Sequence, residues 1–427
     1  MEFVPNIVFV SILSLLLGFF IRNVFRLKRN INLGKGQTDP IENKTERWKN
    51  MIRIALGQSK MITRPIAGTL HLIVYLGFII INIELIEIMI DGIFGTHRIF
   101  SSMGVFYGFL IGAFEIFAVL VLFAVVVFWT RRNIIRIKRF SELKMKGWPK
   151  LDADLILYFE ILLMSLFLLM NATDVEFQNM DNGNIISSLI YPFFSDYSIE
   201  VLHILERFFW WTHIIGILIF LNYIYYSKHL HIILAFPNTF YGSISKIGKL
   251  NNMNSVTDEV NIMMGKAVDS ENNNDVKFGA SDITDLSWLQ LLNAYSCTEC
   301  GRCTSVCPAN ITGKKLSPRK IMMDTRDRIE EVGKNIDKHG KYIDDNKSLL
   351  GDYISKEELW ACTSCNACVQ ECPVNIDPLS VIIDLRRYLV MEEAKMPSEL
   401  TGMLTNIENN GAPWQFSQAD RYKWVEE

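Results

Sequence analysis

The sequence predicts an all-α protein, a five-helix transmembrane bundle followed by a polar helical domain. Three observations carry that reading. Five apolar stretches, each near the ~20 residues that a spanning helix needs, lie before residue 236. Beyond them the residues change to a polar, charged composition punctuated by helix-start signals. All eight cysteines fall in that second part, in two copies of one pattern.

The chain has 427 residues, 50% hydrophobic and 12% aromatic, with 21% charged residues. Those values look contradictory until the two halves are separated. Residues 1–236 read as the membrane domain, 237–283 as a linker, 284–395 as the cysteine domain and 396–427 as a tail that docks a partner. A net charge of −3 with no basic stripe gives no sign of a nucleic-acid partner.

The five spans are placed at 4–25, 68–90, 105–129, 152–171 and 207–230. The start, Met1-Glu2-Phe3, lacks the basic residues of a signal peptide, so the first stretch reads as an uncleaved helix. Orientation follows from the loops. Arg22, Arg26, Lys28, Arg29, Lys35, Lys44, Arg47, Lys49, Arg53, Lys60 and Arg64 follow the first span. Arg131, Arg132, Arg136, Lys138, Arg139, Lys144, Lys146 and Lys150 follow the third. The second span is followed only by Arg98, and the fourth by acids (Asp174, Glu176, Asp181, Asp196, Glu200). This puts the N-terminus outside a cell inner membrane and the cysteine domain in the cytoplasm.

Residues 250–280, rich in Asn, Asp and Ser, read as a mobile linker. Ser317-Pro318 reads as an N-cap followed by a first-turn proline. Ser355 with Glu358 forms a capping box, and Asp377-Pro378 opens a final helix.

Cys297, Cys300, Cys303 and Cys307 precede Pro308, and Cys362, Cys365, Cys368 and Cys372 precede Pro373. Each copy is C-x2-C-x2-C-x3-C-P, the spacing in which three thiolates hold one [4Fe–4S] cubane and the fourth serves a second. Cys297, Cys300, Cys303 and Cys372 are therefore assigned to one cluster, and Cys362, Cys365, Cys368 and Cys307 to the other. Zinc favours separated CxxC pairs, and a cytoplasmic setting disfavours disulfides.

Histidines in the membrane half suggest b haem. Read as one straight helix, the fifth span sets His213 and His231 on one face, five turns or about 27 Å apart. His229 falls about 160° round from His213. His71, near the start of the antiparallel second span, matches the depth of His231, and bis-histidine ligation needs such a pair. His213 is a candidate for a second, outer haem. Ile81 stands where its partner is expected, leaving His97 and His203 as substitutes. His339 lies in the polar domain and carries no signal. Glu84, Glu87, Glu115 and Glu160 lie within spans, where acids are costly and are functional candidates by default. A quinone site needs such proton donors.

On these residues the membrane half resembles the nitrate-reductase gamma-subunit, a cytochrome b domain. The stretch containing AYSCTECGRCTSVCPANITGKKLSPRK is similar to the two-cluster subunit of heterodisulfide reductase, an α-helical ferredoxin. The fusion resembles the membrane-bound heterodisulfide-reductase-related Fe–S oxidoreductases. Many members continue into CCG-rich domains, whereas here no cysteine follows Cys372. The resemblance therefore implies a split form with a separate CCG-domain Fe–S protein or an electron-transfer flavoprotein as partner. The expected function is electron transfer between that partner and the (mena)quinone pool, through two [4Fe–4S] clusters and one or two b haems. The substrate site is expected on the partner, and the direction of flow stays open. The alternative from another class is a membrane redox sensor or assembly factor, which needs the clusters and no haem.

Overall fold

The computed structural model describes residues 4–36, 43–180, 182–245, 247–266 and 277–426. Met1-Glu2-Phe3, Asp181 of the acidic loop, residues 267–276 of the linker and Glu427 lie outside the described residues.

Five helices are long and apolar enough to cross a bilayer: Val4–Ile31, Pro65–Phe94, Val105–Asn133, Trp148–Thr173 and Ile199–Ile224. Pro65 and Pro149 occupy the first turns of the second and fourth, where a missing N–H removes no helical hydrogen bond. From the second span to the fifth, each packs on the next, and the first lies against both the second and the fifth. Ile111, Phe114, Ala118, Phe167 and Ile214 form the centre of the bundle. Gly92 lets the first span approach the second, since a Cβ there would stand 2.6 Å from the Phe9 ring.

The fifth span differs from the straight helix read from the sequence. It ends at Ile224, and a short 3-10 turn, Lys228–Leu230, leads into a separate helix, His231–Tyr241. Ser227 makes the break. Its backbone is extended (φ −110, ψ 154) and its hydroxyl accepts the N–H of His229, capping the new turn. The five-turn relation between His213 and His231 therefore does not hold.

In the cysteine-bearing half, the capping signals start helices where the sequence puts them. Ser317 caps Pro318–His339, the Ser355/Glu358 box opens Lys356–Trp360, and Asp377 caps Pro378–Met391. The last of these is not final, because Ser398–Asn410 follows it. The expected linker carries a helix of its own, Asn254–Met263. No strand occurs among the described residues. A core of Ile283, Leu291, Ile321, Ile329, Leu359, Val381 and Leu385 holds these helices together. Arg328 is fully buried within it, paired with Asp282 and Asp345.

The halves are tied together along the end of the first span. Lys35 N–H donates to the Leu286 carbonyl (2.7 Å), and Trp288 N–H donates to the Lys35 carbonyl (3.0 Å). Asn30 donates to the Tyr295 hydroxyl at 2.9 Å, under a close approach at Gly333. Gly34 makes the first of these junctions possible, because a Cβ there would lie 2.6 Å from the Trp288 nitrogen. Gly34→Val is expected to force the backbones apart at a cost of about 1–3 kcal/mol. The measurements are the thermal midpoint of the detergent-solubilised protein and the rate of proteolytic separation of its halves, the first falling and the second rising.

Candidate functional site

The two cysteine loops share a backbone design. Glu299 and Gly301 in the first loop adopt left-handed conformations (φ 55 and 70), and Ser364 and Asn366 do so at the equivalent places in the second (φ 54 and 61). Such turns curl the chain so that successive thiols point to a common centre. Ser364 N–H points at the Cys362 sulfur (3.4 Å) and Ile376 N–H at the Cys372 sulfur (3.3 Å), contacts that favour a thiolate.

Between the loops, Cys372 comes beside Cys300 and Cys297, and Cys303 lies within the field of all three. Cys307 comes beside Cys362 and Cys368. Burial pushes the Cys297 thiol up to about 11 and those of Cys368 and Cys372 to about 12. Thiols gathered in this way, contacted by backbone N–H groups, suit iron, which displaces the thiol protons on binding. Cys365 alone among the eight is exposed.

The set of Cys297, Cys300, Cys303 and Cys372 is the one pressed against the membrane half. Lys60 Nζ donates to the Cys372 carbonyl at 3.2 Å, and Arg302 donates to the Lys60 carbonyl at 3.0 Å. Arg64 pairs with Glu371 at 2.8 Å. On the other flank Arg319 donates to the Arg139 carbonyl (2.7 Å) and pairs with Glu142 (2.6 Å), and Lys144 pairs with Asp324 at 2.7 Å.

Glu299, between the first two cysteines, carries the central contact. Its buried carboxylate accepts from Lys228 Nζ and Arg326 Nη2, each at 2.7 Å. Burial alone would raise its pKa, but Lys228 and Arg326 outweigh burial and hold it down at about 2. Lys228 lies in the turn after the fifth span, and its carbonyl stands 2.9 Å from His231 Nδ1. That contact selects the tautomer in which Nδ1–H donates, leaving Nε2 unprotonated.

Three imidazoles gather at this end of the bundle. His71 of the second span lies within the electrostatic reach of His231, and His229 within reach of both. The rings of His229 and His231 are 5.5 Å apart at 72°. The straight-helix reading turned His229 away. The break at Ser227 turns it inward instead. Burial, followed for His229 by the neighbouring His231 and Lys228, keeps both imidazoles neutral. The Nδ1 atoms of His71 and His229 are buried with no hydrogen-bond partner among the described residues. Half-buried imidazoles with ring nitrogens that have no protein partner among the described residues are donors that axial ligation of haem iron can use, so the residues fit that group.

The other candidates lie elsewhere. His213 packs on Phe167 (6.2 Å between rings), and its Nδ1 has no hydrogen-bond partner among the described residues. His97 does not join it. Its Nε2 faces Asp174 and its Nδ1 faces Glu176, each at 3.2 Å, and Asp174 raises its pKa. His203 is exposed on the first turns of the fifth span. Glu115 is a structural anchor that accepts the N–H groups of Ile186 and Ser187. Glu87 accepts from Phe100 N–H and Tyr107 hydroxyl. Glu84 keeps one buried oxygen without a hydrogen-bond partner among the described residues and lines a cavity of about 420 Å³ at the end away from the cysteines, with Phe9, Trp210, Trp211 and Arg98. Glu160 is half-buried, with no polar partner among the described residues.

Lys228, Glu299 and Arg326 were missed by sequence reasoning. The one available signal was an acid placed between two cysteines, which has no meaning until its cations are known.

Replacing Lys228 by Met leaves Glu299 with one cation in a buried site, and is expected to cost about 3–5 kcal/mol. The double variant Lys228→Met/Glu299→Gln should recover much of that loss. A double-mutant cycle on chemical unfolding checks both, with a coupling of at least about 1 kcal/mol expected.

Residues 296–376 match the 4Fe-4S dicluster domain family. The chain is 31% identical to the probable iron-sulfur-binding oxidoreductase FadF of Bacillus subtilis, over 89% of this chain and 54% of that protein. It is 26% identical to the EtfAB:quinone oxidoreductase of Syntrophomonas wolfei, over 92% of this chain and 56% of that protein. It is also 33% identical to one component of a CoB-CoM heterodisulfide reductase of Methanosarcina acetivorans, over 25% of this chain and 52% of that protein. The chain thus spans about half the length of these curated relatives. No solved structure matches it.

Proposed function

We propose, for a chain that is a relative of the iron–sulfur oxidoreductases with a 4Fe–4S dicluster domain, that it is the electron-transfer part of a membrane oxidoreductase. It works between a soluble redox partner and the quinone pool. The observation that carries this reading is the Glu299–Lys228–His231 connection, which sets one cysteine group directly against the three-histidine end of the bundle. When bound, two [4Fe–4S] clusters and a b haem supply one-electron carriers between the exposed loop and the membrane.

Cys297, Cys300, Cys303 and Cys372 would hold the membrane-facing cluster, and Cys362, Cys365, Cys368 and Cys307 the outer one. The exposure of Cys365 makes its loop the place where a partner delivers or collects electrons. The name of the Syntrophomonas relative supports an electron-transfer flavoprotein in that role, and the heterodisulfide reductase relatives support an Fe–S protein. His71 and His231 would provide the axial nitrogens. Lys228 fixes the ring of His231, and its ammonium keeps the first cysteine loop in register with that ring. His229 is a second inward imidazole available to the same group.

At the far end, the cavity beside Glu84 offers a quinone ring an aromatic wall from Phe9, Trp210 and Trp211, with an unpartnered carboxyl oxygen to give or take a proton. His213 lies between that cavity and the histidine cluster, and neither His97 nor His203 is brought to it. The reading is therefore one haem at the cysteine end. With the basic loops at that same end, the positive-inside rule makes it cytoplasmic.

His71→Ala and His231→Ala are each expected to abolish a low-spin b-type absorption band in the dithionite-reduced protein. His213→Ala should leave the band in place. Optical spectra with a pyridine haemochrome assay check this. A band that survives His71→Ala means that the haem is held elsewhere.

A further inference from the structure

A groove of about 570 Å³ runs along the first span where it meets the cysteine-bearing half. Gly18, Ile21, Arg22, Phe25, Arg26, Arg29 and Asp337 line it. At about 100° per residue, Gly18, Ile21, Arg22, Phe25 and Arg29 fall on one face of the first span, and Arg26 borders it. The opposite face, Asn23, Leu27 and Asn30, is buried against protein. The groove therefore looks outward, into lipid.

Its two ends differ in chemistry. Toward the middle of the span the floor is apolar and open. Ile21 and Phe25 are 52% and 67% exposed, and a Cβ on Gly18 would meet nothing within 4 Å. Toward the end of the span stand three guanidinium groups. Arg26 (3.3 Å) and Arg29 (2.5 Å) share the single carboxylate of Asp337, which projects from the Pro318–His339 helix. Arg22 has no partner among the described residues. Three cations face one anion at the depth where the apolar span gives way to polar chain, leaving a surplus of positive charge.

From this arrangement we propose that the groove binds one anionic phospholipid. Its phosphodiester would sit between Arg22 and Arg26, and an acyl chain would lie along Gly18, Ile21 and Phe25. Guanidinium groups match phosphate oxygens in pairs, and the phosphate supplies the anion that Arg22 lacks. A free phosphate has no use for the apolar floor. Arg26 would then stand between the phosphate and the Asp337 carboxylate of the other half, which puts the lipid at the junction of the two halves.

The test uses the full-length protein, washed free of loosely held lipid in detergent and then incubated with dioleoylphosphatidylglycerol, dioleoylphosphatidylcholine or inorganic phosphate. Native mass spectrometry reads retained lipid, and the thermal midpoint reads stabilisation. One phosphatidylglycerol should be retained in preference to phosphatidylcholine, with phosphate neither displacing it nor stabilising the protein. Arg22→Gln, which breaks no contact within the protein, should weaken retention roughly fivefold, and Arg22→Gln/Arg26→Gln further. Arg131→Gln, at the same end of the third span, should not. Equal retention by wild type and Arg22→Gln, or an equal loss from Arg131→Gln, overturns the site. Stabilisation by inorganic phosphate alone overturns the lipid as its occupant.

Discussion

A single buried carboxylate organises the meeting of the two halves. Glu299 sits between Lys228 and Arg326, one cation from each half, where little water is left to screen them. Burying an acid inside a cysteine loop is costly unless it is fully paired, and here both oxygens are. The pairing fixes three things together: the curl of the first loop, the height of the cysteine domain above the bundle, and the Lys228 carbonyl that aims His231. Loss of either cation would leave a stranded charge next to the cluster-binding loop.

Around this point, the basic residues at one end of the spans act as a clamp. Arg64 grips Glu371, Arg319 is received by Arg139 and Glu142, Lys144 reaches Asp324, and Arg26 and Arg29 reach Asp337. The half-exposed pairs among these, such as Arg64 with Glu371 and Arg26 with Asp337, are individually weak, whereas Arg319 and Asp324 are buried. Their contribution is register, because Glu371, Arg319, Asp324 and Asp337 all lie on a domain already made rigid by the buried Arg328 network and its apolar core. A docked domain can place one cysteine group toward the membrane and leave Cys365 open to solvent.

How much of this was legible in the sequence depends on how local each signal is. The five spans and the capped helices at Ser317, Ser355 and Asp377 follow from hydropathy and neighbouring residues, and the structure contains them. The all-α class follows from the same signals. The histidine face was misjudged because one serine, Ser227, ends the fifth helix inside a stretch that reads as continuous, and three residues of turn rotate His229 inward. Glu115 was one of four acids that read as functional candidates, and its carboxylate anchors a loop whose N–H groups cannot be seen from composition. The Lys228–Glu299 pair spans 71 positions, and no local pattern predicts such a contact.

The proposed function requires a membrane-facing cluster and a haem at His71 and His231 within direct electron-transfer reach across the Glu299–Lys228 bridge. The most direct measurement is EPR relaxation of the oxidised low-spin haem in the purified protein, with the clusters poised oxidised and then reduced. Reducing the membrane-facing cluster is expected to shorten the haem relaxation time, with Cys297, Cys300, Cys303 and Cys372 required for the effect. A haem whose relaxation ignores the state of both clusters, or a protein that binds two clusters and no haem, would contradict it.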